Sequence, residues 1–412
     1  DTAEEVHVYS AGGVLQRFAQ DFLESKAKIT VMSSHSSVRP RITSAKRIVI
    51  KVGSRLLVNE KNEPSYERIH QLVAEIAQFK NQGIQVILVS SGAIAAGMSV
   101  LGMTQRPKEV PDLQAAAAAG QSRLMAYYEQ ACREFGFHAG QLLVTSDDLK
   151  QRRRHLNFLH CANALLKRNV LPIINENDSI SVEEICFGDN DQLAALVGVM
   201  TKSDLTVLLT STDGMYLRDQ NGQLGERISI IEEINDEIKA MAEGTDGNEL
   251  STGGMISKLY AAERVTTCGE DMWIIDGNNF NNLSHLRQGE DIGTYLPAQQ
   301  NNLNSNKRWL AFFGESKGQI FIDKGAEQAL IKHGKSLLPK GLISLEGQIK
   351  KGDIVDIINE EQELIARGSC NYSSLDLQKV LGRNTDELYA IIGHDYYKTI
   401  VHRDNMAILS NS

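Results

Sequence analysis

The chain has 412 residues, 23% of them charged and 42% hydrophobic, with a formal net charge of −9. That length suits two domains, or one large and one small, and the acidic balance excludes a protein whose overall field gathers polyanions. Five scattered cysteines (Cys132, Cys161, Cys186, Cys268, Cys370) make no C-x-x-C pair, no run approaches a membrane span and the first 30 residues lack a secretory apolar core, so a cytoplasmic setting is expected.

Residues 1–45 fit poorly with the rest of the chain and are read as an extension of unknown role, with a Ser-rich stretch from Met32 to Lys46. From Arg47 a regular alternation begins. "RIVIKV" reads as a buried strand, and Ile69, Leu72, Val73, Ile76 and Phe79 recur at helical spacing until Gly83. "IQVILVSS" is a second strand, "QAAAAAGQSRLMAYYEQACREFG" a helix, "GQLLVT" a strand and "HLNFLHCANALLKRN" a helix. "VLPIIN", "DLTVLLT" and "MWIID" continue the strands, with "DQLAALVGVMT" and "GGMISKLYAAERVTTCG" as the helices between them. Wholly apolar strands separated by amphipathic helices predict an α/β fold, a mainly parallel sheet sandwiched by helices, over residues 46–297. Ligands of such a sheet sit at the carboxyl ends of its strands.

"AQQNNLNSNK" reads as a linker, placed at 298–306. Beyond it "RWLAFF", "QIFID", "DIVDIIN" and "ELIARG" read as strands and "GAEQALIKHG" as a helix, giving a small β-rich domain over 307–412. That segment holds 14 basic and 14 acidic residues, so it is neutral.

The strand ends carry the chemistry. Lys51 closes the first strand and precedes Gly53 and Ser54, where an amine and open backbone N–H groups suit a phosphate. A lysine leaving a strand for solvent explains the same residue. Ser91 and Gly92 lie between a strand and a helix, an arrangement that suits either an anion or tight helix packing. "INEND" (174–178) follows a strand and "GDND" (188–191) opens a helix. One aspartate there is an ordinary cap, but two acidic clusters repel each other unless a cationic partner is present: an ammonium, Mg²⁺ or lysines. "STGGMISKLYAA" (251–262) places Gly253 and Gly254 before Lys258, a pattern able to hold nucleotide phosphates.

Other matches fail. No G-x-G-x-x-G occurs. Gly334-Lys335-Ser336 lacks the earlier glycine of a phosphate loop, "GESKG" (314–318) lies between strand-like runs, "HRD" (402–404) has no accompanying kinase motifs, and His160 with Cys161 lacks a second zinc-ligand pair. Two lysines on separate elements, glycine turns and clustered acids together point to phosphoryl transfer, which needs alignment and charge neutralisation more than covalent catalysis.

"IVIKVGS", "SSGAIAAG", "GQSRL", "INEND", "GDNDQLAAL" and "STGGMISKLYAA", in this order, resemble the glutamate 5-kinases of the amino acid kinase family. The tail "GQIFIDKGAEQALIKHGKSLLPKGL…GDIVDI" is similar to their C-terminal PUA domain, and the likeness covers about residues 46–406. The resemblance implies ATP-dependent phosphorylation of the γ-carboxylate of L-glutamate to γ-glutamyl phosphate, the first step toward proline, with Mg²⁺ accompanying ATP. It implies that Lys51 and Lys258 neutralise the transferring phosphoryl group and that Asp189 holds them. Ser91, Gly92, Asn175, Asp178, Asn190 and Asp191 would hold glutamate. Lys51, Gly53, Thr210, Ser211, Thr252, Gly253, Gly254, Met255 and Lys258 would hold ATP, and no residue is assigned to a protein-held metal. The family commonly shows Thr-Asp where this chain has Thr210-Ser211, with Asp213 two places on. A homo-oligomer and feedback by proline are expected by analogy. The competing readings are a sibling kinase acting on acetylglutamate, aspartate, carbamate or uridylate, and an RNA-binding protein using the PUA domain. The neutral tail speaks against RNA.

Overall fold

The computed structural model of the protein describes residues 44–59, 63–145, 148–149, 151–180, 190–218, 224–235, 238–239, 242, 254–299, 307, 310–311, 316–393 and 397–409. Within them the sheet of the larger unit is ordered around β1 (Arg47–Val52), buried at every position after Arg47. Its branched residues divide between two helical layers because successive side chains of a strand face opposite ways. Ile48, Ile50 and Val52 pack against Ile69, Leu72 and Ile76 of helix α1 (Tyr66–Asn81). Val49 points the other way, and Lys51 has the same parity. The Ser65 hydroxyl caps α1 by accepting from the Arg68 N–H, 3.3 Å away, and Gly83, at φ 80°, reverses the chain after it.

Strand β2 (Gln85–Val89) pairs parallel with β1 and leads into two helices, α2 (Ala93–Val100) and α3 (Val110–Glu134). The helix expected over 114–136 thus starts earlier, and the helix expected after Gly92 is the short α2, which takes in most of "SSGAIAAG". The two pack at close range through glycine: a methyl group on Gly97 would strike the Ala116 carbonyl, and one on Gly120 the Ala93 carbonyl. Strand β3 (His138–Val144), helix α4 (Arg152–Lys167) and strand β4 (Val170–Glu176) follow. Next come α5 (Asn190–Thr201), β5 (Leu205–Thr210) and a two-stranded ribbon, β6 (Met215–Arg218) with β7 (Leu224–Ile228). Helix α6 (Met255–Thr267), β8 (Asp271–Asp276), α7 (Asn282–Gln288) and β9 (Thr294–Leu296) complete this unit.

The sheet order among the described residues is β3-β4-β2-β1-β5-β8-β9, parallel throughout except for β9. The face opposite α1 and α3 is covered by α5 and α6, whose Leu193, Val197, Leu259 and Val265 bury against Val49, Ile87 and Val89. Each such side chain gains about 1.5–3 kcal/mol on burial. Strands β2 and β5 flank β1, so the strand order reverses there, and the carboxyl ends at such a reversal are where ligands of this kind of sheet bind.

The remaining described strands form a separate five-stranded sheet, β11-β10-β12-β13-β14. These are β10 (Gly318–Ile322), β11 (Leu342–Gly347), β12 (Ile354–Ile358), β13 (Leu364–Cys370) and β14 (Val401–Ile408), with helices α8 (Lys324–Ile331), α9 (Ser374–Val380) and α10 (Leu388–Ile392). One expectation fails here. "RWLAFF" is not a strand where it is described: Lys307, Leu310 and Ala311 are helical, and Leu310 and Ala311 bury against Ile354 and Ala407. A five-residue apolar run does not separate helix from strand by periodicity alone. The "HRD" run lies within β14. No helix among the described residues is long and apolar enough to cross a membrane.

Candidate active site

Lys51 sits at the carboxyl end of β1 on the face covered by α5 and α6, 7% exposed. Lys258 lies one turn inside α6, 9% exposed. Between them stands Asp191, in the first turn of α5 and fully buried. Its Oδ1 is 2.5 Å from the Lys51 Nζ and its Oδ2 2.9 Å from the Lys258 Nζ. Burial of three ionised groups is costly unless they are paired, and here one carboxylate serves two ammonium groups. Taken together, the three side chains carry one surplus positive charge. Such a centre suits an anion. Gln192, next in α5, donates to the Ser257 carbonyl at 2.8 Å and so locks α5 to α6 beside the ion pairs.

Asn190 turns away from the triad, because neighbouring positions of a helix point about 100° apart. Its Nδ2 lies 2.9 Å from the Ser90 carbonyl, 2.7 Å from the Ser91 Oγ and 3.1 Å from the Asn175 Oδ1. Asn175 in turn donates to the Gln121 Oε1 at 3.2 Å. The buried Ser90 hydroxyl is 2.8 Å from the Tyr128 hydroxyl. The ends of β2 and β4, the start of α5 and the middle of α3 thus form one polar wall. Gly92 adopts φ 101° at the start of α2, a conformation that favours glycine, and its Cα faces Ser54. Asp178 follows β4. Burial, and then the charge of Glu176, push its carboxyl up to about 6, with Arg106 opposing.

On the other side of β1, Gly53 lies beside the Lys51 amine, with any Cβ there 4.0 Å from Nζ. Thr210 ends β5, and its hydroxyl takes the Thr212 N–H at 3.0 Å in its own turn. Ser211 is exposed, and its carbonyl accepts from Asn278 Nδ2 at 3.2 Å. The Asp213 carboxylate is engaged by the Tyr216 hydroxyl. Gly254 precedes α6 with φ −68° and ψ 178°, a backbone conformation open to any residue, and Met255 begins the helix. Asp189, Thr252 and Gly253 lie outside the described residues.

The amino acid kinase family profile matches residues 46–276, and the PUA domain profile matches residues 318–392. The glutamate 5-kinase of Caldanaerobacter subterraneus subsp. tengcongensis is 42% identical over 364 residues, covering 88% of this chain and 98% of that protein. The chain belongs to the amino acid kinase family. The glutamate 5-kinase of Syntrophotalea carbinolica is 40% identical over 368 residues, covering 89% and 98%. Among solved structures, carbamate kinase from Giardia lamblia bound to AMP-PNP overlaps with a TM-score of 0.45 at 17% identity, covering 62% of this chain and all of that one. That overlap is too loose to bear on the site.

Within this amino acid kinase fold the structure brings together Lys51, Lys258 and Asp191, and separately Ser91, Asn175 and Asn190. One expected assignment changes. Asp191, which the resemblance had given to the substrate, lies between the two lysines, while Asp189, expected to hold them, falls outside the described residues. With α5 beginning at Asn190, Asp191 shares the inward face of the helix with Ala194, Ala195 and Gly198 and meets the lysines that approach that face. Sequence reasoning passed over Tyr128, Gln121 and Gln192. Tyr128 does carry a signal: a hydroxyl among the apolar positions Leu124, Ala131 and Cys132 of one helix face needs a buried partner.

Proposed function

We propose that this kinase transfers the γ-phosphoryl group of ATP to the γ-carboxylate of L-glutamate, giving γ-glutamyl phosphate and ADP, the first step toward proline. The observation that carries the proposal is the buried Asp191 carboxylate shared by Lys51 and Lys258 beside the Ser91–Asn175–Asn190 wall. The lysines neutralise the oxygens of the group in flight, and Asp191 fixes both amines in advance of the reaction, so no reorganisation is needed as charge develops. The acceptor carboxylate is already ionised at neutral pH, so the step needs no general base. Ser91, Gly92, Asn175 and Asn190 surround the amino acid, and the Asp178 carboxylate meets its ammonium. Gly53, Thr210, Ser211 and the 252–258 segment receive the nucleotide.

Mg²⁺ would arrive on the ATP phosphates, its usual mode of entry. Among the described residues no group of three or more His, Cys, Asp or Glu side chains is placed to hold an ion, and no step above is routed through it. We assign the kinase unit to 46–297 and the PUA unit to 307–412, joined by 298–306, in a cytoplasmic homo-oligomer subject to feedback by proline. The even balance of charge in 307–412 weighs against RNA as the main ligand. The test measures glutamate-dependent ADP release and traps the acyl phosphate with hydroxylamine, with aspartate, N-acetylglutamate, carbamate and UMP as rival acceptors and proline as inhibitor. Turnover of glutamate above all rivals is expected. Preference for another acceptor would overturn the assignment.

A further inference from the structure

Arg68 lies in the first turn of α1, which covers the sheet face opposite the one Lys51 shares with Val49, and its guanidinium is directed at the loops after β1 and β8. Its Nε donates to the Leu56 carbonyl, Nη1 to the Asn278 carbonyl and Nη2 to the Gly277 carbonyl, each at 3.0 Å. Nη1 also reaches the Gln71 Oε1 at 3.3 Å, and the group lies 4.3 Å above the centre of the Phe280 ring. Each accepting carbonyl belongs to a segment that leaves the carboxyl end of a central strand. Leu56 closes the short 3₁₀ turn after β1, where its N–H donates back to the Gly53 carbonyl at 3.1 Å. Gly277 and Asn278 follow β8. The Gly277 N–H donates to the Thr210 carbonyl at 2.7 Å, and Asn278 Nδ2 holds the Ser211 carbonyl. The Leu56 side chain packs on Gly277, where no Cβ would fit. One planar fork therefore joins the turn after β1 to the turn after β8 and, through Asn278, to the turn after β5.

We propose that Arg68 is a positioning residue for the nucleotide: it fixes the Gly53–Ser54 backbone relative to Thr210–Ser211, and so sets the width of the cleft that receives ATP. This rests on the ATP site proposed above. A lysine cannot replace the arginine, because an ammonium is a point charge and cannot address three carbonyls in one plane. The glutamate wall, built from β2, β4 and α5, takes no bond from this fork.

The experiment compares wild type with Arg68→Lys by steady-state kinetics and by calorimetric titration of a non-hydrolysable ATP analogue without glutamate. The expected result is an analogue affinity and an ATP KM weakened about tenfold (about 1.4 kcal/mol), with the glutamate KM within about twofold and the melting temperature within a few degrees of wild type. Wild-type nucleotide affinity in Arg68→Lys would overturn the proposal. So would an equal loss in both KM values with a large fall in melting temperature, which would mark a purely structural role. If wild type binds the analogue yet does not phosphorylate glutamate, the proposed reaction fails while the affinity comparison still decides the role of Arg68.

Discussion

Asp191→Asn removes the charge on which the site is organised while keeping its shape. The wild-type contacts of 2.5 and 2.9 Å involve groups almost wholly out of water. At about 3 Å and an effective dielectric of about 20, each pair gains roughly 5–6 kcal/mol of gross Coulomb energy. Most of that offsets the desolvation of the ions, so the measurable quantity is the cost of removing one partner from buried ion pairs, about 3–5 kcal/mol. The amide retains one acceptor oxygen for one lysine, which places the expected loss near ~3 kcal/mol. ATP phosphates supply the missing negative charge, so saturating nucleotide should narrow the gap between variant and wild type. Turnover should fall about 10²–10³-fold, because amines without their tether are no longer pre-aligned. Urea unfolding followed by circular dichroism, with and without ATP, reads the first two effects, and coupled ADP release reads the third. A wild-type unfolding midpoint without nucleotide, or turnover within about threefold of wild type, would refute the reasoning.

Lys258→Ala should lower kcat about 10²–10³-fold with little change in glutamate KM, since its contact strengthens as the phosphoryl group moves; initial rates over a glutamate series decide this, and unchanged turnover removes the residue from the mechanism. Asp178 retains its proton up to about pH 6 in the folded protein, so kcat/KM for glutamate should decline as pH falls through 6, and Asp178→Asn should flatten that limb. The sign for stability is opposite: the folded state binds the extra proton between the unfolded value of 3.8 and about 6, so this group stabilises the unliganded protein at low pH and ceases to do so as pH rises through 6. Denaturant midpoints of wild type and Asp178→Asn between pH 4 and 7 test it. Gly97→Ala should be poorly tolerated, because the methyl meets the Ala116 carbonyl and forces α2 off α3; a melting temperature equal to wild type would show that the helices have room to part.

Much of the larger fold was legible because a parallel sheet covered on both faces needs apolar strands, and β1, β2, β4, β5 and β8 announce themselves that way. Lys51 and Lys258 stood out because an amine at such a position needs a partner. The bridging role of Asp191 was not legible, because which residue of Asp-Asn-Asp faces inward turns on where the helix starts, and a shift of one residue turns a side chain by about 100°. The contact between α2 and α3 was not legible, because Gly97 looks like a break in a string of small residues, whereas it is where α3 touches. The turns after β5 and β8 have local bonds of their own, but what ties them together, Asn278 to the Ser211 carbonyl and Arg68 to the Gly277 carbonyl, joins residues far apart in the chain and leaves no local pattern.

Arg68 and Asn278 are 210 positions apart, and Lys51 must wait for α6 to find its counterpart across Asp191. A centre assembled from such distant stretches is a late product of chain collapse, because loop closure over long separations precedes any reward from the contacts. During synthesis the first lysine emerges well before the second, and until then Asp191 has one amine to neutralise instead of two. Catalytic competence is therefore a reporter of the last docking event. In a refolding experiment it should appear after the helical signal has recovered.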